Sequence, residues 1–153
     1  MKPISYKRNE MREILFRAKR KVKDVWVTGS YIYKVYHDIK GDPYTDDNGK
    51  LLDEYMMLSP ERIDATVIIR ETLGQFTGKV AKGKKIFEED IVRYKNKVMV
   101  VEWNENNAMF SLRCLDGSND MLSFSEILQE EIDVIGNVYD NPEWMISVRG
   151  NND

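Results

Sequence analysis

Two runs of carboxylates are the densest chemical groups in the sequence: Glu88, Glu89 and Asp90, then Glu130, Glu131 and Asp133. A general acid–base pair needs two such groups facing one cleft with their pKa values pushed apart. Adjacency in sequence does not supply that, and solvated turn chemistry is the plainer reading of both runs. His37 is the only histidine. Metal sites built on a histidine pair are therefore excluded, and any nucleophile–imidazole arrangement depends on this one residue. It stands between Tyr36 and Asp38 at an expected strand end, where an exposed surface histidine is the simpler role. Cys114 is the only cysteine, so no intrachain disulfide or Cys-pair zinc knuckle can form. Its apolar surroundings suit a small buried hydrophobe. Asp42, Asp46, Asp47 and Asn48 offer oxygen ligands without the alternating spacing or the closing glutamate of a calcium loop. Gly74-Gln75-Phe76-Thr77-Gly78 lacks the Lys-Ser/Thr that turns a glycine loop into a phosphate cradle. No metal or organic cofactor is expected, no catalytic residue is assigned, and the balance leans against an enzyme.

Binding is the stronger reading. Lys79, Lys82, Lys84 and Lys85 form a basic turn beside Phe76 and Phe87, and aromatic rings among lysines can stack bases while the ammonium groups meet phosphates. The same lysines could simply solvate a turn. A net charge of −3 also disfavours a protein that holds nucleic acid by bulk electrostatics. Nucleic acid stays an alternative on Lys79, Lys82, Lys84, Lys85 and Phe87. Trp26, Tyr31, Tyr33 and Trp103 support another reading, in which exposed strands pair identical subunits or engage a host or phage protein.

Residues 25–36 are β-branched and aromatic throughout, the composition of a strand, with Gly29 and Ser30 placed for a bulge or bend. Residues 41–49 are dense in turn formers, and Asn48-Gly49 is a hairpin signal. A strand is expected over 65–71, and turns at 74–78 and 82–85. Short strands then follow through residues 86–114, joined by polar turns. Ser123 and Glu126 have capping-box spacing for one short helix. Residues 132–139 return to strand chemistry, and Asn141-Pro142-Glu143 reads as a helix start. The tail at 150–153 is expected to fray. The fold class is mainly β: an N-terminal β lobe, a small antiparallel SH3-like barrel in the C-terminal half, and one or two short helices. A barrel is placed at about residues 78–139. No stretch approaches the ~20 apolar residues of a membrane span, and residues 1–8 carry positive charge without an apolar core of an export signal. No membrane partner is expected, and the absence of cysteine pairs points to a cytoplasmic setting.

Five ordered motifs carry a family resemblance. Met11-Arg12-Glu13-Ile14-Leu15-Phe16-Arg17-Ala18 is followed by Thr72-Leu73-Gly74-Gln75-Phe76-Thr77-Gly78 and by Lys85-Ile86-Phe87-Glu88-Glu89-Asp90-Ile91-Val92. Val101-Glu102-Trp103 and the run from Val134 to Glu143 complete the order. Together they resemble the YopX family of phage and prophage proteins. The resemblance implies a β-rich protein acting in a bacterial cytosol, and it brings no biochemical activity with it. It makes residues 1–10 an extension, and the strand and turn pattern divides the rest into a first lobe at residues 11–77 and a second at residues 78–150, within one compact unit. Glu89 stands where the family pattern has glycine, so its corner either avoids positive φ or is strained. Gly74, Gln75, Phe76, Thr77 and Gly78 are expected to form a structural joint between the halves, with Phe76 driven into a shared core.

Overall fold

The computed structural model describes residues 12–60, 65–118 and 120–145. The extension at 1–10 and the tail at 150–153 lie outside the described residues. The strands in chain order are β1 (Phe16–Lys19), β2 (Trp26–Val35), β3 (Asp53–Leu58), β4 (Thr66–Val67), β5 (Gly74–Ala81), β6 (Lys84–Phe87), β7 (Asp90–Tyr94), β8 (Lys97–Asn104), β9 (Met109–Cys114), β10 (Met121–Ser123) and β11 (Ile132–Asn137). They form two antiparallel sheets, ordered β4-β3-β2-β1-β5-β6 and β10-β9-β8-β7-β11. The protein is mainly β. Hydrogen bonding leaves the two sheets open among the described residues. The part expected to be a barrel is the five-stranded sheet covered by the β5–β6 hairpin through packing. Ala81 and Ile86 of that hairpin share one core with Val92, Met99, Val101, Leu112 and Ile132.

Turn chemistry explains the hairpins. Lys82 and Gly83 both have positive φ, 48° and 81°, the requirement of a two-residue type I′ turn that matches strand twist. At the β7–β8 turn the positive φ falls on Lys95, at 53°, and not on Asn96. Strand β2 changes partner along its length: Trp26 to Gly29 pair with β1, and Ser30 to Val35 pair with β3. Gly29 sits at the handover, where a Cβ would land on the Leu58 carbonyl oxygen. The expected bend is thus a place where a second backbone crosses too closely for any side chain.

Three local expectations need correction. Residues 74–78 are the start of β5 and not a turn. Gly78 (φ 83°) lies where the β5–β6 register shifts between Phe76 and Val80, so its glycine serves a bulge inside a strand. The expected strand at 65–71 is only β4, followed by a 3-10 turn at Arg70–Thr72. The helix expected after Ser123 does not form. Glu126 accepts a hydrogen bond from the Ser123 N–H at 2.6 Å, half of a capping box, but the chain makes a turn and then a 3-10 segment at Gln129–Glu131. Ile127 is drawn into the large core, and that burial takes the place of a helical stripe. At the other site a helical turn does begin, with Trp144 and Met145 donating to the carbonyls of Asn141 and Pro142. Cys114 is buried, as its surroundings suggested.

The cores are unequal. Among the described residues twelve buried ones fill the core under the second sheet, against three, Ala18, Met57 and Ile68, in the first. Each buried Ile, Leu, Val or Met contributes about 1.5–3 kcal/mol by transfer from water, so the second half holds most of the stabilising burial.

Candidate functional site

The lysine turn is largely committed elsewhere. Lys82 pairs with Asp133 and Lys85 with Glu13, each at 2.5 Å. Lys84 is exposed at the end of the hairpin, and Lys79 is half-buried on the β5 bulge. Phe87 is buried, with the Arg17 guanidinium 4.9 Å above its ring, and Phe76 is buried against it at 5.6 Å. Neither ring has a free face for a base. His37 is exposed next to its bridge with Pro43. Asp46 accepts from the N–H groups of Asn48 and Lys50, which makes it a turn residue.

Of the carboxylates at 88–90, Glu88 and Glu89 are half-buried and Asp90 is buried. Asp90 is 1% exposed and pairs with Arg17 at 2.6 Å, while it accepts from the Phe87 N–H at 2.8 Å. Burial pushes its carboxyl up, against the pull of Arg17 and that N–H. Arg17 lies between the rings of Trp26 and Phe87 and also donates to the Glu88 carbonyl. Beside it, Asp140 accepts from Lys19 and from the Trp26 indole, both at 2.7 Å, and from Asn137 at 2.8 Å. Burial raises the Asp140 carboxyl, but these donors outweigh it and bring it to about 2. Arg17, Lys19 and Trp26 belong to the first sheet; Asp90, Asn137 and Asp140 belong to the second or its margin. This polar seam fastens the sheets to each other. Residue types alone did not reveal it, because Arg17 sits in a segment of mixed charge and its partner lies 73 positions away.

Glu89 answers its own question: φ is 66°. Its N–H donates to the Val101 carbonyl and its carbonyl accepts from Val138, so the surroundings hold the strained conformation in place. Burial raises its carboxyl pKa, against the opposing influence of the nearby Tyr139 and Arg17, and Oε2 has no hydrogen-bond partner. Tyr139, whose phenol is raised first by burial, donates to the Glu71 carbonyl.

Two open surfaces bear on binding. One is a hollow of about 440 Å³ between β5 and the β8–β9 hairpin, with Arg12, Lys79, Trp103, Phe110 and Ser123 on its walls. The other is the projecting β2–β3 ribbon. Tyr31, Ile32 and Tyr33 are 41%, 46% and 45% exposed. Consecutive strand residues point to opposite faces, so both faces of this ribbon meet solvent. Among the described residues, eight of the fifteen exposed large hydrophobics lie between Tyr31 and Leu58, which makes this the most apolar stretch of surface described.

A family profile described as YopX protein matches residues 15–145. The chain belongs to the YopX family. Among curated proteins none matches the sequence. Four of the five YopX-like motifs reach the seam: the Met11–Ala18 motif supplies Arg17, the Gly74–Gly78 motif opens β5, the Lys85–Val92 motif makes the β6–β7 corner with Asp90, and the last motif carries Asn137 and Asp140. A Cβ on Gly74 would come 2.9 Å from the Glu88 carbonyl oxygen, and one on Gly136 would strike the Asn141 side chain. The motif residues of this YopX-family chain therefore hold two sheets together, and its apolar ribbon lies outside them. No helix among the described residues is long and apolar enough to cross a membrane.

Proposed function

We propose that this YopX-family protein is a non-catalytic binding and assembly protein, and that it self-associates through the β2–β3 ribbon. The single observation behind this reading is the exposure of apolar side chains on both faces of that ribbon. Solitary exposed hydrophobics are ordinary, whereas a contiguous group marks a surface that a partner covers. The first sheet adds support, because its three-residue core leaves Tyr31, Tyr33 and Tyr55 at the margin, with Tyr33 and Tyr55 packed at 4.8 Å. A second copy laid on the ribbon extends that thin core. The carboxylates with the strongest chemistry, Asp90 and Asp140, are bound to Arg17 and Lys19, which favours a structural role over acid–base work. The proposed setting, the cytosol of a bacterium carrying the phage or prophage, rests on family membership.

Size-exclusion chromatography with light scattering tests it. Wild type is expected at twice the 18.0 kDa chain mass or more, and Ile32→Glu at the chain mass with unchanged dichroism. A monomer at every concentration would reject self-association and leave the ribbon to a host or phage protein.

A further inference from the structure

We infer that the hollow beside Trp103 binds single-stranded nucleic acid, with one base against the Trp103 ring and backbone phosphates at Arg12 and Lys79. Trp103 is 45% exposed, and Phe110 braces it edge-on, with ring centroids 5.1 Å apart and planes at 73°. The ring is thus held in place while part of it faces water. Arg12 and Lys79 stand at the same hollow. Unlike Lys82 and Lys85, neither forms an ion pair with a carboxylate among the described residues.

Charge singles this hollow out. Among the described residues its walls carry two cations and no carboxylate. Other depressions carry Glu54, Glu131 or Glu88. In a chain of net charge −3, a recess with two cations on its walls is a local exception, with the Glu126 carboxylate beside it held by the Ser123 N–H, and phosphate is the ligand charge that it suits. Hydroxyls of Thr77, Ser123 and Ser125 add polar groups along the wall.

The wall also argues against a peptide. Trp103 and Phe110 lie on β8 and β9, which have hydrogen-bonded strands on both sides. Among the described residues the outer strand at the hollow is β10, and its three residues give an extended peptide little edge to join. A base needs only a ring face and a nearby cation, and stacking tolerates any sequence. The basic turn and buried phenylalanines are not required: the stacking ring is Trp103, and of the lysines only Lys79 takes part.

The test is fluorescence anisotropy with the full chain and labelled oligo-dT and oligo-U of about ten nucleotides, at two salt concentrations. Saturable binding is expected, with a shallow salt slope near −1.4 for two phosphate contacts. Trp103→Leu is expected to weaken binding roughly tenfold, within the range for loss of one stacked base. Lys79→Ala reduces the slope by about 0.7, and Lys84→Ala, outside the hollow, changes nothing. Absence of saturable binding by wild type overturns the inference. So does a Lys79→Ala slope equal to wild type, a variant that leaves the core intact even if Trp103→Leu is unstable. Equal displacement by poly-glutamate assigns the hollow to acidic peptide instead and also overturns it. Ile32→Glu keeps full oligonucleotide affinity, so failure of self-association and failure of this site are separate outcomes.

Discussion

At the scale of single residues, the chain tolerates strain where backbone pairing fixes a conformation. Glu89 illustrates this most plainly. Its left-handed φ costs about 1–2 kcal/mol for a residue with a Cβ, and its raised carboxyl pKa adds a charge cost. A raised folded pKa favours the protonated acid. That contribution is present below the usual value of 4.5 and is lost as pH rises through the folded value. Glu89→Gly relieves the strain and removes the partly buried charge. Urea melts are expected to show a gain of up to about 1 kcal/mol at neutral pH, and a smaller one at acid pH. A loss would mean that the link from Glu89 to Tyr139 outweighs both terms. Gly29 is the opposite case, a glycine demanded by a crossing backbone and not by its own dihedral angles.

At the scale of elements, β5 is the strand the two halves share. Gly74 and Gln75 pair with β1, and Phe76 lies opposite Phe87 of β6. The division expected at residue 77 therefore falls inside a strand. Thr77 donates to the Ile86 carbonyl and accepts from the Lys79 N–H, which steadies the bulge at Gly78. We hold the Gly74–Gly78 stretch to be a joint, with Phe76 as its apolar pin. Phe76→Ala should then cost about 3–5 kcal/mol, a large part of a total stability of roughly 5–15 kcal/mol. The urea midpoint measures it directly, and an unchanged midpoint would reject the joint. The turn expected here from the glycines was misplaced for a physical reason: a strand bulge and a tight turn both ask for φ above zero, and the sequence contains the same residue for either.

At the scale of the whole molecule, attachment of one sheet to the other depends on ionisation. The Asp140 pKa is depressed from 3.8 to about 2, so its stabilising contribution is complete above 3.8 and disappears as pH falls toward 2. Lys19, raised chiefly by its hydrogen bond to Asp140, holds its contribution below 10.5 and loses it as pH rises through the folded value. Asp140→Asn is expected to unfold at lower urea than wild type at pH 6, with the gap closing by about pH 2. A gap that persists there would show that Asp140 acts through packing and not through charge.

What the sequence by itself determined was local. The β class, a turn beginning at Lys82, the buried cysteine and the family followed from residue types and spacing, because turn geometry and strand propensity are properties of adjacent residues. The tertiary structure decided which of those residues meet. Arg17 with Asp90, Lys19 and Trp26 with Asp140, and Trp103 with Arg12 and Lys79 join positions far apart in the chain, and no local periodicity records such pairs. It also decided that residues 123–131 would not be a helix, since burying Ile127 in the common core prevailed over a capping box worth little by itself.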